Sequence, residues 1–125
     1  MSRKITLIES SSVAPKTISE IRKRIKPRDT VLVALDSNHT KAHVLRELEL
    51  YSKWVTPGSY LVVFDGVMDW VSDAPIGKPE WKKDNPTAAI RAFLKKHPEF
   101  EVDPYYNRLG VTYCHGGFLR RKALI

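Results

Sequence analysis

The chain has 125 residues, the size of one small domain, and 42% hydrophobic with 28% charged residues excludes disorder and collagen-like repetition. The longest apolar runs, 31–35 and 60–64, fall far short of a membrane span, and the patch behind the first basic residues is too brief for a secretory signal. The net charge is +7, with basic excess at both ends and a slightly acidic middle. One cysteine, Cys114, excludes an internal disulfide and a Cys-rich zinc module, so cytoplasmic residence is expected. No zinc finger, glycine-lysine phosphate loop or aromatic RNA-binding motif accompanies the positive charge. A solvated basic helix face and a charged tail account for it more simply than a nucleic-acid footprint.

A first strand is predicted over residues 4–9, where Ile5, Leu7 and Ile8 precede the turn Ser10-Ser11-Ser12. Pro15 suits a helix start, and Ile18, Ile21 and Ile25 recur at helical spacing until Lys26, where Pro27 stops the helix. Val31-Leu-Val-Ala-Leu35 is a continuous apolar run ending at Asp36, the pattern of a strand covered on both faces. A second helix is predicted over 40–54, with Val44, Leu48 and Tyr51 on one face. Pro57-Gly58 turns the chain into Tyr60-Leu-Val-Val-Phe64, a buried strand that also ends at an aspartate, Asp65. Asn85-Pro86 caps and opens a third helix to about Lys96, which His97-Pro98 ends. Strand-like pieces at 100–104 and 109–114 close the pattern, ahead of Gly116-Gly117-Phe118-Leu119-Arg120-Arg121.

Alternation of strand and helix implies an open, mostly parallel α/β sheet in a single domain over 1–125. Residues 66–84 form a long connection containing Trp70 and Trp81, which are costly to leave in water. A substrate lid and an oligomer or domain contact are both open readings of it.

Ligands of open α/β sheets bind at the carboxyl ends of the strands, where Asp36 and Asp65 both fall. If their strands are neighbours, the two carboxylates can share one hard cation such as Mg²⁺. His39, three residues after Asp36, reaches the same rim and can take a proton from a substrate hydroxyl. The plainer reading makes Asp36 or Ser37 the cap of the following helix. His43 lies four residues from His39, the spacing of a His–His metal pair, but no third nitrogen or thiolate ligand accompanies it. Cys114 and His115 are adjacent and point opposite ways if in a strand, which argues against a dyad and for Cys114 as a small apolar residue.

Three stretches together carry a family resemblance: Leu35-Asp36-Ser37-Asn38-His39-Thr40-Lys41-Ala42-His43-Val44, Tyr51-Ser-Lys-Trp-Val-Thr-Pro-Gly-Ser-Tyr60, and Val63-Phe64-Asp65-Gly66. With Ile5-Thr-Leu-Ile-Glu9 upstream and Asp84-Asn85-Pro86 and Gly116-Gly117-Phe118-Leu119-Arg120 downstream, the sequence resembles the cephalosporin hydroxylase and rhamnosyl O-methyltransferase family over nearly its whole length. The resemblance implies an S-adenosylmethionine-dependent, Mg²⁺-assisted O-methyltransferase on a seven-stranded, Rossmann-like class I sheet. It makes Asp36 and Asp65 the metal ligands at the ends of the fourth and fifth strands, His39 the base for the acceptor hydroxyl, and Ser11 an adenine contact. Phe64 stands where some relatives carry a further acid, so one carboxylate ligand is missing. The resemblance further implies that this chain holds the third to seventh strands, the C-terminal half of the domain. The first two strands and the glycine-rich cofactor loop are then absent, and no Gly-x-Gly-x-x-Gly occurs in the sequence. Residues 4–9 would lose their neighbours, and the exposed sheet edge would be covered by a homo-oligomer or a separate N-terminal half.

The leading expectation is therefore the metal- and acceptor-side half of an O-methyltransferase acting on a hydroxyl of a sugar or other small molecule. An inactive assembly or interaction module derived from such an enzyme is the second reading, and a basic nucleic-acid-binding α/β domain the third. Methyl transfer dependent on Asp36, Asp65 and His39 separates the first from the second, and steep salt dependence of nucleic-acid binding would promote the third.

Overall fold

The structure, a computed structural model, describes residues 5–123. Three α-helices and a four-stranded sheet alternate along it: α1 (Pro15–Arg24), β1 (Val33–Leu35), α2 (Lys41–Tyr51), β2 (Tyr60–Val63), α3 (Pro86–Leu94), β3 (Phe100–Val102) and β4 (Phe118–Arg121). The sheet order is β1-β2-β4-β3. β1 and β2 are parallel, with Leu35 opposite Val63, whereas β4 runs antiparallel to both β2 and β3. The class is α/β as expected, but the described sheet is mixed rather than mostly parallel. Among the described residues no helix is long and apolar enough to cross a membrane.

Helix and sheet meet through a core in which Leu48, Leu61, Phe93 and Leu119 have no solvent exposure. Val44 and Leu48 of α2, spaced one turn apart, face Leu35 of β1, while Ile90 and Phe93 carry α3 into the same cluster. Two glycines allow the backbone to close tightly around this layer. A Cβ on Gly117 would collide with the Val63 carbonyl, and one on Gly66 with the His115 carbonyl.

Two expected strands are not formed. Residues 5–9 are without regular structure, with Ile5 and Leu7 exposed, and Lys4 lies outside the described residues. A strand needs a hydrogen-bonded neighbour, and β1 pairs only with β2. Residues 109–114 alternate in the manner of a strand, yet Leu109, Val111 and Tyr113 are all exposed. The antiparallel partner is instead β4, which fills the space between β2 and β3 and leaves no edge there for another strand. The run 31–35 also departs from expectation: Leu32 is 57% exposed and Ala34 is exposed, so β1 is covered on one face only.

His97, just past α3, links the helical layer to the sheet. Its Nε2 lies 2.9 Å from Glu49 of α2 and its Nδ1 3.0 Å from Glu99, and its ring stacks on Phe93. Burial opposes a charge on His97, but the hydrogen bonds it donates to the Glu99 and Glu49 carboxylates outweigh it and raise the imidazole pKa. Burial likewise opposes ionisation of Glu99, and the hydrogen bond to His97 outweighs it and lowers that pKa. The imidazolium's contribution is full below the unfolded histidine pKa and is lost as pH rises through the raised folded value. The Glu99 contribution is full above the unfolded glutamate pKa and is lost as pH falls through the lowered one. Both therefore act together at roughly pH 4.5–6.5. The difference in urea midpoint between wild type and His97→Asn is expected to be largest in that window and to shrink at alkaline pH. A difference independent of pH would leave His97 a packing residue only.

Candidate metal and acceptor site

Parallel pairing brings the carboxyl ends of β1 and β2 to the same side, and a bond from Phe64 N–H to the Leu35 carbonyl (3.1 Å) continues the pairing up to the two aspartates. Asp65 then adopts the left-handed conformation, at φ 58° and ψ 25°, the only non-glycine positive φ among the described residues. Aspartate tolerates this region better than most residues, and such outliers cluster at functional sites. Gly66, pressed against the His115 carbonyl, fixes the next step of the chain.

His39 Nδ1 lies 2.9 Å from Asp65 Oδ2. Asp36 completes the group, one ligand atom from each of Asp36, His39 and Asp65 lying within 4.8 Å of the others. Ligand atoms on opposite sides of a magnesium-sized ion sit about 4.2 Å apart, so a small closure would let the Asp36 and Asp65 carboxylates share one cation with the His39 imidazole beside it. The two carboxylates, as oxygen donors, suit Mg²⁺ or Mn²⁺ better than a thiophilic metal. The donor set fits a divalent cation even with Phe64 in place of a further acid.

The helix-cap reading of Asp36 fails on geometry. Thr40 is the N-cap of α2, its Oγ1 accepting from His43 N–H, and Asn38 Oδ1 in turn accepts from the Thr40 backbone and hydroxyl. Asp84 supplies a further cap from across the fold, accepting from Lys41 N–H at 2.6 Å. The Asp36 carboxylate is thereby left free for the cluster. His39 and His43 part company, for His43 Nε2 turns to Ser12 and Ser37. Ser11 is exposed on its turn, and its carbonyl accepts from the Thr17 hydroxyl. Its neighbour Ser12 is the one that reaches the Asp36 loop, with Oγ 3.2 Å from Ser37 Oγ.

Beside the cluster opens a cavity of about 650 Å³. Its polar end carries His39 and Asp65, while Met68, Val71, Trp81 and Tyr113 give it an apolar wall. The long connection thus builds a wall of the site: short 3-10 turns at Gly66–Asp69 and Pro79–Lys82 bracket it. Asn85 fastens its far end, donating to the Trp81 carbonyl and accepting from Ala88 N–H at the start of α3. Trp70 packs on His115, with ring centroids 3.9 Å apart. Cys114 is buried beneath this rim. Burial first, and then the charges of Asp65 and Asp36, push its thiol pKa up and keep it protonated. Sequence reasoning did not find Tyr113 or Asp84 as site residues, since neither stands in a local pattern that reveals a partner so distant in the chain.

The chain is thus an α/β protein that sets two acids and a histidine at the ends of adjacent parallel strands, beside a cavity with an apolar wall. Residues 1–122 match the family model described as rhamnosyl O-methyltransferase/CmcI, and the chain belongs to that family. It is 34% identical over 124 residues to a rhamnosyl O-methyltransferase of Mycobacterium leprae (strain TN), covering 94% of this chain and 51% of that protein. A rhamnosyl O-methyltransferase of Mycobacterium tuberculosis (strain ATCC 25618 / H37Rv) is 32% identical over 122 residues, covering 94% and 47%. The chain therefore spans about half the length of the curated relatives it matches. No solved structure matches it.

The backbone at Asp65 yields a test that needs no ligand. Asp65→Gly is expected to leave urea stability unchanged or raise it, while Asp65→Val costs about 1–2 kcal/mol through the left-handed conformation. Equal stability of the two variants would mean that the turn is not held in that conformation.

Proposed function

We propose that the chain supplies the metal- and acceptor-binding part of an S-adenosylmethionine-dependent O-methyltransferase that acts on a sugar hydroxyl. The observation that carries this reading is the Asp36–His39–Asp65 cluster, of which His39 and Asp65 line the 650 Å³ cavity, in a chain of this family. In it, Asp36 and Asp65 hold a divalent cation, which when bound lowers the cost of ionising the acceptor hydroxyl. His39, oriented by Asp65, takes the hydroxyl proton. S-adenosylmethionine would supply the methyl group, its carbon–sulfur electron pair leaving with S-adenosylhomocysteine, while this chain's residues would hold the acceptor oxygen and take its proton. Trp81 and Tyr113 offer ring faces against which a sugar can lie, with its polar edge turned to the cluster.

In this reading β1 and β2 correspond to the fourth and fifth strands of the methyltransferase sheet, Ser11 remains the adenine contact, and the protein works in the cytoplasm. The position of β1 at the sheet edge and the exposed Leu32 just before it support a partner there, either a second copy or a separate half that completes the cofactor site. The same bare edge favours the second reading, an assembly module without catalysis.

Incubation with labelled S-adenosylmethionine, Mg²⁺ and rhamnosyl acceptors tests the proposal. Methyl transfer is expected that Asp36→Asn reduces by at least about 100-fold, a scale set by the contribution of a metal or a positioned base. Trp81→Ala is expected to raise the acceptor KM with a smaller effect on kcat. Transfer unaffected by Asp36→Asn would remove the metal role, and absence of transfer with every acceptor would favour the assembly module.

A further inference from the structure

Glu47 is a charged side chain with no evident reason to be buried. It sits on the core face of α2 between Val44 and Leu48 and is 1% exposed. Oε1 accepts a 2.7 Å hydrogen bond from Ser37 Oγ and lies 3.6 Å from His43 Nε2, while Oε2 has no hydrogen-bond partner among the described residues. A buried carboxylate with one oxygen unpartnered destabilises a fold, and an apolar side chain of similar length would avoid that cost.

What the carboxylate holds is Ser37, the residue after Asp36. Ser37 Oγ is gripped from three directions, by Glu47, by His43 Nε2 at 3.1 Å and by Ser12 Oγ at 3.2 Å. Asp36 itself is exposed, and among the described residues no hydrogen bond or ion pair secures its carboxylate. Its direction therefore depends on the backbone at either side: the Leu35 carbonyl is pinned by Phe64 N–H, and Ser37 is pinned by Glu47. We propose that Glu47 is a positioning residue for the cation, anchoring Ser37 so that the Asp36 carboxylate stays aimed at His39 and Asp65. The assignment rests on the metal reading above, and outer partners of this kind typically govern metal affinity.

Mn²⁺ titration of the full chain, followed by electron paramagnetic resonance of the free ion, tests it alongside urea unfolding of the same samples. Glu47→Met is expected to bind Mn²⁺ at least about tenfold more weakly while its unfolding midpoint stays level or rises. Glu47→Gln keeps an oxygen to accept from Ser37 and is expected to bind close to wild type. Ser37→Ala, at an exposed position, is expected to weaken binding as Glu47→Met does, and it decides the matter alone if Glu47→Met fails to fold. Wild-type affinity in Glu47→Met or Ser37→Ala overturns the role of Glu47 and leaves the metal reading standing. Absence of Mn²⁺ binding by wild type overturns both.

Discussion

The parallel pairing of β1 with β2 is the constraint on which the site depends. A parallel pair places both carboxyl ends at one rim, and the Leu35–Val63 register brings Asp36 level with Phe64, one residue before Asp65. Asp36 and Asp65, 29 positions apart in the chain, become neighbours through this pairing together with the left-handed turn at Asp65. An antiparallel pair would send one carboxylate to the far end of the sheet. The core that Leu48, Leu61 and Phe93 build against these strands fixes the register, so packing energy is what keeps two like charges close.

The elements around the rim each remove one competing use of the site residues. Thr40, Asn38 and Asp84 satisfy the start of α2, which frees Asp36 from capping. Asn85 ties the Trp81 turn to α3, which makes a wall of what would otherwise be a loose connection. Burial and the neighbouring acids keep Cys114 protonated, so the thiol offers no competing nucleophile. The mouth is left with carboxylates, an imidazole and aromatic faces.

The helices and the parallel strands β1 and β2 were legible because their signals are local. Pro15, Thr40 and Asn85-Pro86 mark starts, and Val44, Leu48 and Tyr51 mark a face. Asp36, His39 and Asp65 were legible because strand ends locate sites in sheets of this kind. Illegible features depend on pairing between distant segments. The alternation Leu109, Val111, Tyr113 reads as a strand, and Phe118-Leu119-Arg120-Arg121 does not, yet only the latter finds two partners. Residues 5–9 carry strand-forming side chains but have no neighbour to bond. Glu47 was hidden for the opposite reason: a lone acid in a helix reads as solvated, and only the packing of α2 shows it buried.

The central claim is that one divalent cation joins the two strand ends. Anomalous diffraction at the manganese edge, on crystals of this chain soaked in Mn²⁺, tests it most directly. The account predicts a peak bounded by the Asp36 and Asp65 carboxylates, with His39 beside it. Well-ordered aspartates with no peak between them at saturating Mn²⁺ would contradict it.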